Sequence, residues 1–253
     1  MKIATLYDIH GNLPALEAVL AKIEQEDVDA IVVGGDALAG PLPAETLTLL
    51  QTIKTPVHYI HGNHESEILR YLAGQPPAGL SSKADEITPK IADQLSPEQQ
   101  KFIHGWAATV QLNSPSLGKI VFCHATPHNN THVFTKHTPI EKIEPIFEGI
   151  EADIVVCGHT HMQYDLAVGG LRVVNSGSVG MPFGEPGAHW LLIDNEIHFR
   201  MTDFDRQAAA ERIDQPDALN GEAFVKGNIL NTPSEADAMA VLQQLEAKQT
   251  TEK

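Results

Sequence analysis

Asp8 and His10, one residue apart, open a series of short clusters built from carboxylate, imidazole and amide side chains. Asp36 follows Gly34-Gly35. Asn63 and His64 stand in the run Gly62-Asn63-His64-Glu65. His124 follows an apolar run ending in Cys123, and Gly158-His159-Thr160-His161 follows another ending in Cys157. Carboxylate, imidazole and amide oxygen are the donor types that divalent cations prefer. Two histidines at i and i+2 after a glycine can serve neighbouring ions. Each cluster alone has an ordinary reading: Asn12 as a helix cap, Gly35-Asp36 and Gly62 to Glu65 as tight turns, His124 as a hydrogen-bonded histidine. Jointly, and in this order, they predict a metal site. The chain's 13 histidines are the one unusual count in its composition, and several fall in these clusters.

The elements that must hold these groups follow from periodicity. Residues 2–7 form a short apolar strand. Leu13, Leu16, Val19, Leu20 and Ile23 recur at helical spacing, so 13–26 reads as an amphipathic helix. Residues 30–33 are a buried strand, 43–53 a helix with Pro43 at its start, and 56–60 a third strand. This alternation is that of a layered α/β domain. Helical spacing and breakers then suggest a helical insert over 66–116. Strands are expected at 119–123, 153–157, 163–168, 171–174, 190–193 and 198–202, with a helix at 139–147 and a hairpin turn through Gly169-Gly170. Beyond Asp205 the chain is polar, with one helix expected at 234–247. Every candidate ligand stands immediately after an expected strand. In open α/β sheets ligands bind beyond the carboxyl ends of the strands, so five segments deliver their polar groups to one edge.

Composition narrows the classes. With 33 acidic against 17 basic residues the formal charge is −16. That argues against stable nucleic-acid binding, which needs a basic footprint. No apolar run approaches the roughly 20 residues of a membrane helix, and the first residues lack the apolar core of a signal peptide. A cytoplasmic location is expected. Cys123 and Cys157 close apolar runs and read as small buried side chains, with a disulfide or a metal role as the alternative.

The ordered set Asp8-x-His10, Gly35-Asp36, Gly62-Asn63-His64-Glu65, His124 and Gly158-His159-x-His161 resembles the calcineurin-like metallophosphoesterases. Asp8-Ile9-His10-Gly11-Asn12, Gly40-Pro41 and Asn175-Ser176-Gly177-Ser178-Val179-Gly180 resemble its small bacterial and archaeal phosphodiesterase-like branch. The likeness spans roughly residues 1–205, the expected catalytic domain, with 206–253 as a polar, helical extension and 66–116 as a lid. It implies an α/β fold, a four-layer α/β/β/α sandwich of two mixed β-sheets flanked by helices. It also implies roles. Asp8, His10 and His161 would hold one metal, Asn63, His124 and His159 the second, and Asp36 would bridge both. The two divalent ions, manganese first and iron, nickel, cobalt or zinc as alternatives, would share a hydroxide that attacks phosphorus. Asn63 rather than an aspartate leaves the centre a net positive charge of about one for phosphate. His64 would face the substrate as the catalytic residue and protonate the leaving oxygen.

The sequence also departs from relatives. Tyr7 precedes Asp8 where many of this branch carry a small residue. Ala39 and Gly40 replace the acid and arginine of the protein serine/threonine phosphatases. The loop 125–137, rich in histidine and asparagine, follows ligand His124 and is a candidate substrate contact. The expected activity is hydrolysis of a phosphodiester of a small molecule or nucleotide. The alternatives are a phosphomonoesterase acting on a small molecule or phosphoprotein, and a non-catalytic scaffold. A retromer subunit that resembles this branch is such a scaffold and lacks the histidine equivalent to His64.

Overall fold

The computed structural model describes residues 1–251. In chain order it begins β1 (Ile3–Leu6), α1 (Leu13–Ile23), β2 (Ala30–Val33), α2 (Pro43–Thr52) and β3 (Val57–Tyr59). Asn12 caps α1, its Oδ1 accepting from Ala15 N at 3.3 Å, and a proline stands in the first turn of both α1 and α2. Then come α3 (Asn63–Leu72), α4 (Ser82–Gln94) and α5 (Pro97–His104). The segment expected to be helical to residue 116 ends differently: Thr109–Ser114 is a strand, β4, whose alternating exposure marks one solvated face. β5 (Gly118–Cys123), α6 (Ile140–Ile143), β6 (Ile154–Cys157), β7 (Gln163–Val168), β8 (Leu171–Ser176), β9 (Ala188–Ile193) and β10 (Ile197–Thr202) follow. The helix expected over 139–147 is one α-turn continued as a 3₁₀ turn at Glu144–Phe147, where Pro145 withholds a backbone donor.

The strands form two five-stranded mixed sheets, in the orders β10-β9-β1-β2-β3 and β4-β5-β6-β8-β7. β1, β2 and β3 run parallel, as do β5, β6 and β8; β9 pairs antiparallel with both β1 and β10, and the edge strands β4 and β7 pair antiparallel with β5 and β8. Residues alternate along each central strand between two cores. Ile3, Tyr7, Val32, Ile154 and Val156 point into the space between the sheets, with Phe122, Val174 and Leu191. Ala4, Leu6, Ile31 and Val33 point the other way, against α1, α2 and α4. Val155 faces a third cluster with Ile143 and Phe147. Period-two alternation with both faces apolar is what a strand buried on both sides requires, and it produces the expected four-layer sandwich. Cys123 and Cys157 are buried free thiols.

Beyond 205, where one helix was expected, the described residues carry α7 (Arg206–Ile213), α8 (Gly221–Phe224) with a π turn at Val225–Ile229, and α9 (Glu235–Thr251). The first of these bury Ala209, Ala210, Ile213, Phe224 and Ile229 against Leu42 and Met181. Among the described residues, no helix is long and apolar enough to cross a membrane.

Candidate metal centre

The parallel pairing of β1 and β2 continues past both strands: Asp8 N donates to Gly35 O (3.1 Å), His10 N to Asp36 O (2.9 Å) and Gly11 N to Ala37 O (2.8 Å). The loops after β5 and β6 are tied in the same way, Gly158 N to His124 O at 2.8 Å. These bonds hold an unfavourable backbone. Asp8, His10, Asp36, His159 and His161 all have positive φ, between 49° and 66°, and they are five of the seven expected ligands. Asp, Asn and His tolerate this left-handed region best, at a cost of about 1–3 kcal/mol each. The turn swings each side chain back over the sheet edge.

Two groups of donor atoms result, Asp8 with His10 and His161, and Asp36 with His124 and His159, the atoms of each lying within 4.8 Å of one another. In the first, Asp8 Oδ1 is 3.3 Å from His161 Nε2 and 3.9 Å from His10 Nε2, and the two imidazole nitrogens are 3.1 Å apart. In the second, His124 Nε2 is 2.9 Å from Asn63 Oδ1 and 3.6 Å from Asp36 Oδ2. The groups adjoin: Asp8 Oδ1 is also 4.0 Å from His124 Nε2. His64 stands at the edge, its Nε2 3.8 Å from Asp36 Oδ2 and its side chain partly exposed.

Three of the imidazoles are oriented by a backbone carbonyl. His10 Nδ1 meets Ala39 O (3.0 Å), His124 Nδ1 meets Gly34 O (2.9 Å) and His161 Nδ1 meets Met181 O (2.8 Å). A carbonyl only accepts, so each of these three Nδ1 atoms carries a proton and each Nε2 faces the cluster, where it offers a lone pair once deprotonated, the arrangement metal-ligating histidines use. Asp8 Oδ2 accepts from His159 N at 2.8 Å, whereas Oδ1 is buried without a hydrogen-bond partner. A carboxylate oxygen stranded among Nε2 lone pairs is costly unless a cation sits there. This donor set therefore fits divalent ions.

Electrostatics agree. Burial and the neighbouring His161 lower the pKa of His10 to about 3, and burial with His124 lowers that of His159 to about 4, so both rings are neutral donors near pH 7. Burial opposes ionisation of Asp8 and Asp36, but the surrounding histidines outweigh it and hold both carboxyls below their ordinary values. For His124 burial opposes the charge, and Asp36 and Asp8 outweigh it, raising its pKa.

Tyr7 lies fully buried beneath the site. Its hydroxyl donates to Val156 O at 3.1 Å, and its ring lies against Gly34 and Gly158, where any Cβ would overlap it. The bulk that departs from relatives is thus accommodated by glycines at the ends of β2 and β6.

Sequence reasoning gave Glu65 no role. It is fully buried, and its carboxylate accepts from Asp36 N (2.7 Å), Gly62 N (2.9 Å), Ala37 N (2.9 Å) and Leu38 N (3.2 Å). It thereby binds the Asp36 turn to the Asn63 turn. Burial and the Asp36 charge push its pKa up to about 7, against the pull of the backbone donors. Every partner is a donor, so the bonded form is the carboxylate. An acid at the third helical position after Gly62 is a capping signal and was legible; its reach across to residues 36–38 was not. In the sequence Asn175 and Ser178 stand out only as part of a motif. Asn175 Nδ2 donates to Gly158 O (2.6 Å) and Thr160 Oγ1 (3.1 Å), and Ser178 Oγ to Asp8 O (2.7 Å), so they fix the ligand loops. In the loop 125–137, Asn130 Nδ2 bonds Gly62 O (3.1 Å) and Ser66 Oγ (2.8 Å), which anchors that loop to α3.

The comparisons with known proteins agree with this architecture. Residues 1–196 match the model of the calcineurin-like phosphoesterase superfamily domain. The chain is 26% identical over 207 residues to the phosphodiesterase YfcE of Escherichia coli K12, covering 78% of this chain and 89% of that protein. It is also 26% identical over 235 residues to the uncharacterized protein MJ0912 of Methanocaldococcus jannaschii, covering 83% and 91%. Among solved structures, the hypothetical protein PH1004 of Pyrococcus horikoshii OT3 has the same fold, with a TM-score of 0.72 at 20% identity over 89% of this chain and 96% of that one. A metallophosphoesterase of Sphaerobacter thermophilus aligns with a TM-score of 0.66 at 21% identity, covering 89% and 97%. The chain belongs to the calcineurin-like phosphoesterase superfamily and is a metal-dependent phosphoesterase.

Proposed function

We propose that this protein hydrolyses a phosphodiester of a small molecule or nucleotide at a pair of divalent ions, manganese first among them. Asp8, His10 and His161 would hold one ion and Asn63, His124 and His159 the other, with Asp36 as the residue that would serve both. The observation that carries this reading is the adjoining of the two donor groups, with Asp8 Oδ1 within 4.0 Å of nitrogens from each. When bound, such ions supply charge for the phosphoryl oxygens and bring a water's pKa towards neutrality.

The chain's own residues do the rest. Among the described residues the two donor groups contain two carboxylates, Asp8 and Asp36, and Asn63 contributes an oxygen without charge, so the centre stays positive towards a phosphate. His64 is at the edge, where its ring is placed to give a proton to the leaving oxygen. Ala39, whose carbonyl orients His10, stands where protein serine/threonine phosphatases carry an acid. That weakens a protein-phosphatase reading. The diester reading is supported by the name of the E. coli relative, a phosphodiesterase.

Aryl phosphate mono- and diesters assayed with Mn²⁺, Ni²⁺, Co²⁺ and Fe²⁺ test it. Turnover of the diesters and not the monoesters is expected. Turnover of monoesters alone would transfer the assignment to a phosphomonoesterase, and metal binding without any turnover would favour a scaffold.

A further inference from the structure

His161 is oriented from a different part of the chain than its fellow ligands. Its Nδ1 donates to Met181 O at 2.8 Å, and Phe183 lies stacked on its ring, centroids 5.2 Å apart and planes 24° from parallel. Both partners belong to the loop between β8 and β9. That loop is fastened by the C-terminal segment, Gly184 N donating to Pro233 O at 2.9 Å. Phe183 itself packs on a small apolar cluster of Val133, Met162, Met239 and Leu242, the last two from α9.

α9 is in turn anchored along its length to the loop that follows His124. Lys136 Nζ pairs with Glu235 at 2.6 Å, and Thr138 Oγ1 donates to Glu246 Oε2 at 3.0 Å. Gln249 grips the backbone of Val133 at both ends: its Oε1 accepts from Val133 N (2.9 Å) and its Nε2 donates to Val133 O (2.5 Å). This helix lies outside the matched family domain, which ends at residue 196. The other group of ligands is oriented within the sandwich: His124 is held by Gly34 O at the end of β2, and Asp36 by Glu65 and by its own loop pairing.

We infer that α9 sets the metal affinity of one position of the pair, the one formed by Asp8, His10 and His161, with Phe183 as the positioning residue that carries its effect. The inference rests on the metal-pair reading above. A ligand ring that is already clamped loses little freedom when it binds an ion, and a ring released from its orienting partners loses more. Groups that orient the residues bound to a metal typically change its affinity about 10–100-fold. The consequence is selective: loosening Phe183 weakens one ion and spares the other, which a general loss of stability cannot do.

Stepwise calorimetric titration of the full metal-free chain with Mn²⁺, paired with electron paramagnetic resonance of the coupled ions, reads this directly. The wild type takes up two ions. Phe183→Ala weakens one of the two steps about 10–100-fold and leaves the other within about twofold. At sub-saturating Mn²⁺ it gives the signal of isolated ions in place of the coupled pair. Met239→Ala, a change on α9 itself, shifts the same step in the same direction, and Phe183→Tyr, which keeps the ring, restores it. In a His161→Ala background, Phe183→Ala has no further effect. Wild-type protein that binds fewer than two ions overturns the metal-pair reading. Two ions in the wild type, with both steps unchanged or equally weakened in Phe183→Ala and in Met239→Ala, leave that reading standing and overturn the role of α9.

Discussion

Glu65 Oε2 accepts the backbone N–H of Asp36 at 2.7 Å, so an acid on α3 holds the turn that carries an acid at the end of β2. With three further backbone donors on the same carboxylate, its removal strands four buried N–H groups, each worth about 1–3 kcal/mol when unsatisfied. Glu65→Ala is therefore expected to lower the stability of the metal-free protein by at least about 3 kcal/mol in urea denaturation. Glu65→Gln keeps one carbonyl oxygen and turns an amide towards the remaining donors, so it should show roughly half that loss. A Glu65→Ala protein within about 0.5 kcal/mol of wild type would mean the carboxylate is not structural.

Asp36 is proposed to touch both ions. Asp36→Ala should release the pair together, and activity should disappear with it. Metal analysis after gel filtration checks this: retention of two equivalents per chain would remove Asp36 from the bridging position.

His64 has a different expected outcome, because it neighbours ligands without belonging to either donor group. His64→Ala should keep both metals and lose about 10²–10⁴-fold in kcat, the ordinary worth of general acid catalysis. KM should change little, since the interaction is strongest in the transition state. The loss should shrink for a nitrophenyl ester, whose leaving group needs little protonation, and grow for an alkyl ester. An equal loss for both esters would argue against proton donation.

Chelation should stabilise nothing and unfold nothing. The ligands stand on strand-end loops, while the apolar cores lie between the sheets and under the helices. Metal at a hundred times its dissociation constant adds about 2.7 kcal/mol. Removing it should lower Tm yet leave the far-ultraviolet circular dichroism intact. Loss of secondary structure in chelator would show that the metals are needed for folding.

Proton release on metal binding has a sign fixed by the histidines. His10 and His159, with pKa lowered to about 3 and about 4, are already deprotonated above pH 5 and release nothing. His124, whose pKa is raised because Asp36 and Asp8 outweigh its burial, keeps its extra proton to higher pH than an ordinary histidine and must give it up to bind metal. Metal affinity should therefore fall as pH drops through the range in which His124 protonates, and any proton released by these three rings should come from His124 alone. Calorimetry in buffers of different ionisation enthalpy counts it. A count that reached three would show that His10 and His159 are charged before metal binds.

The sequence alone picked out the candidate ligands and the sheet edge that displays them. Each ligand follows an apolar run, and strands buried on both faces leave their polar groups no place except the strand ends. It also determined most of the elements, because period-two and period-3.6 patterns are local. It did not reveal β4: Thr109 to Asn113 alternate polar and apolar, but the run is short and directly follows the helical spacing of Phe102, Ile103 and Trp106, and its pairing with β5 is visible only in the fold. Nor could it show why Tyr7 is tolerated, since the space for its ring is made by Gly34 and Gly158 from other strands. The role of Glu65 depends on turns 27 to 29 residues away in sequence. The grip of α9 on Phe183, and through it on His161, depends on residues more than 50 positions apart. Such contacts arise only when the chain is folded, because hydrogen bonds and ring stacking act over a few ångströms and carry no periodic signature along the sequence.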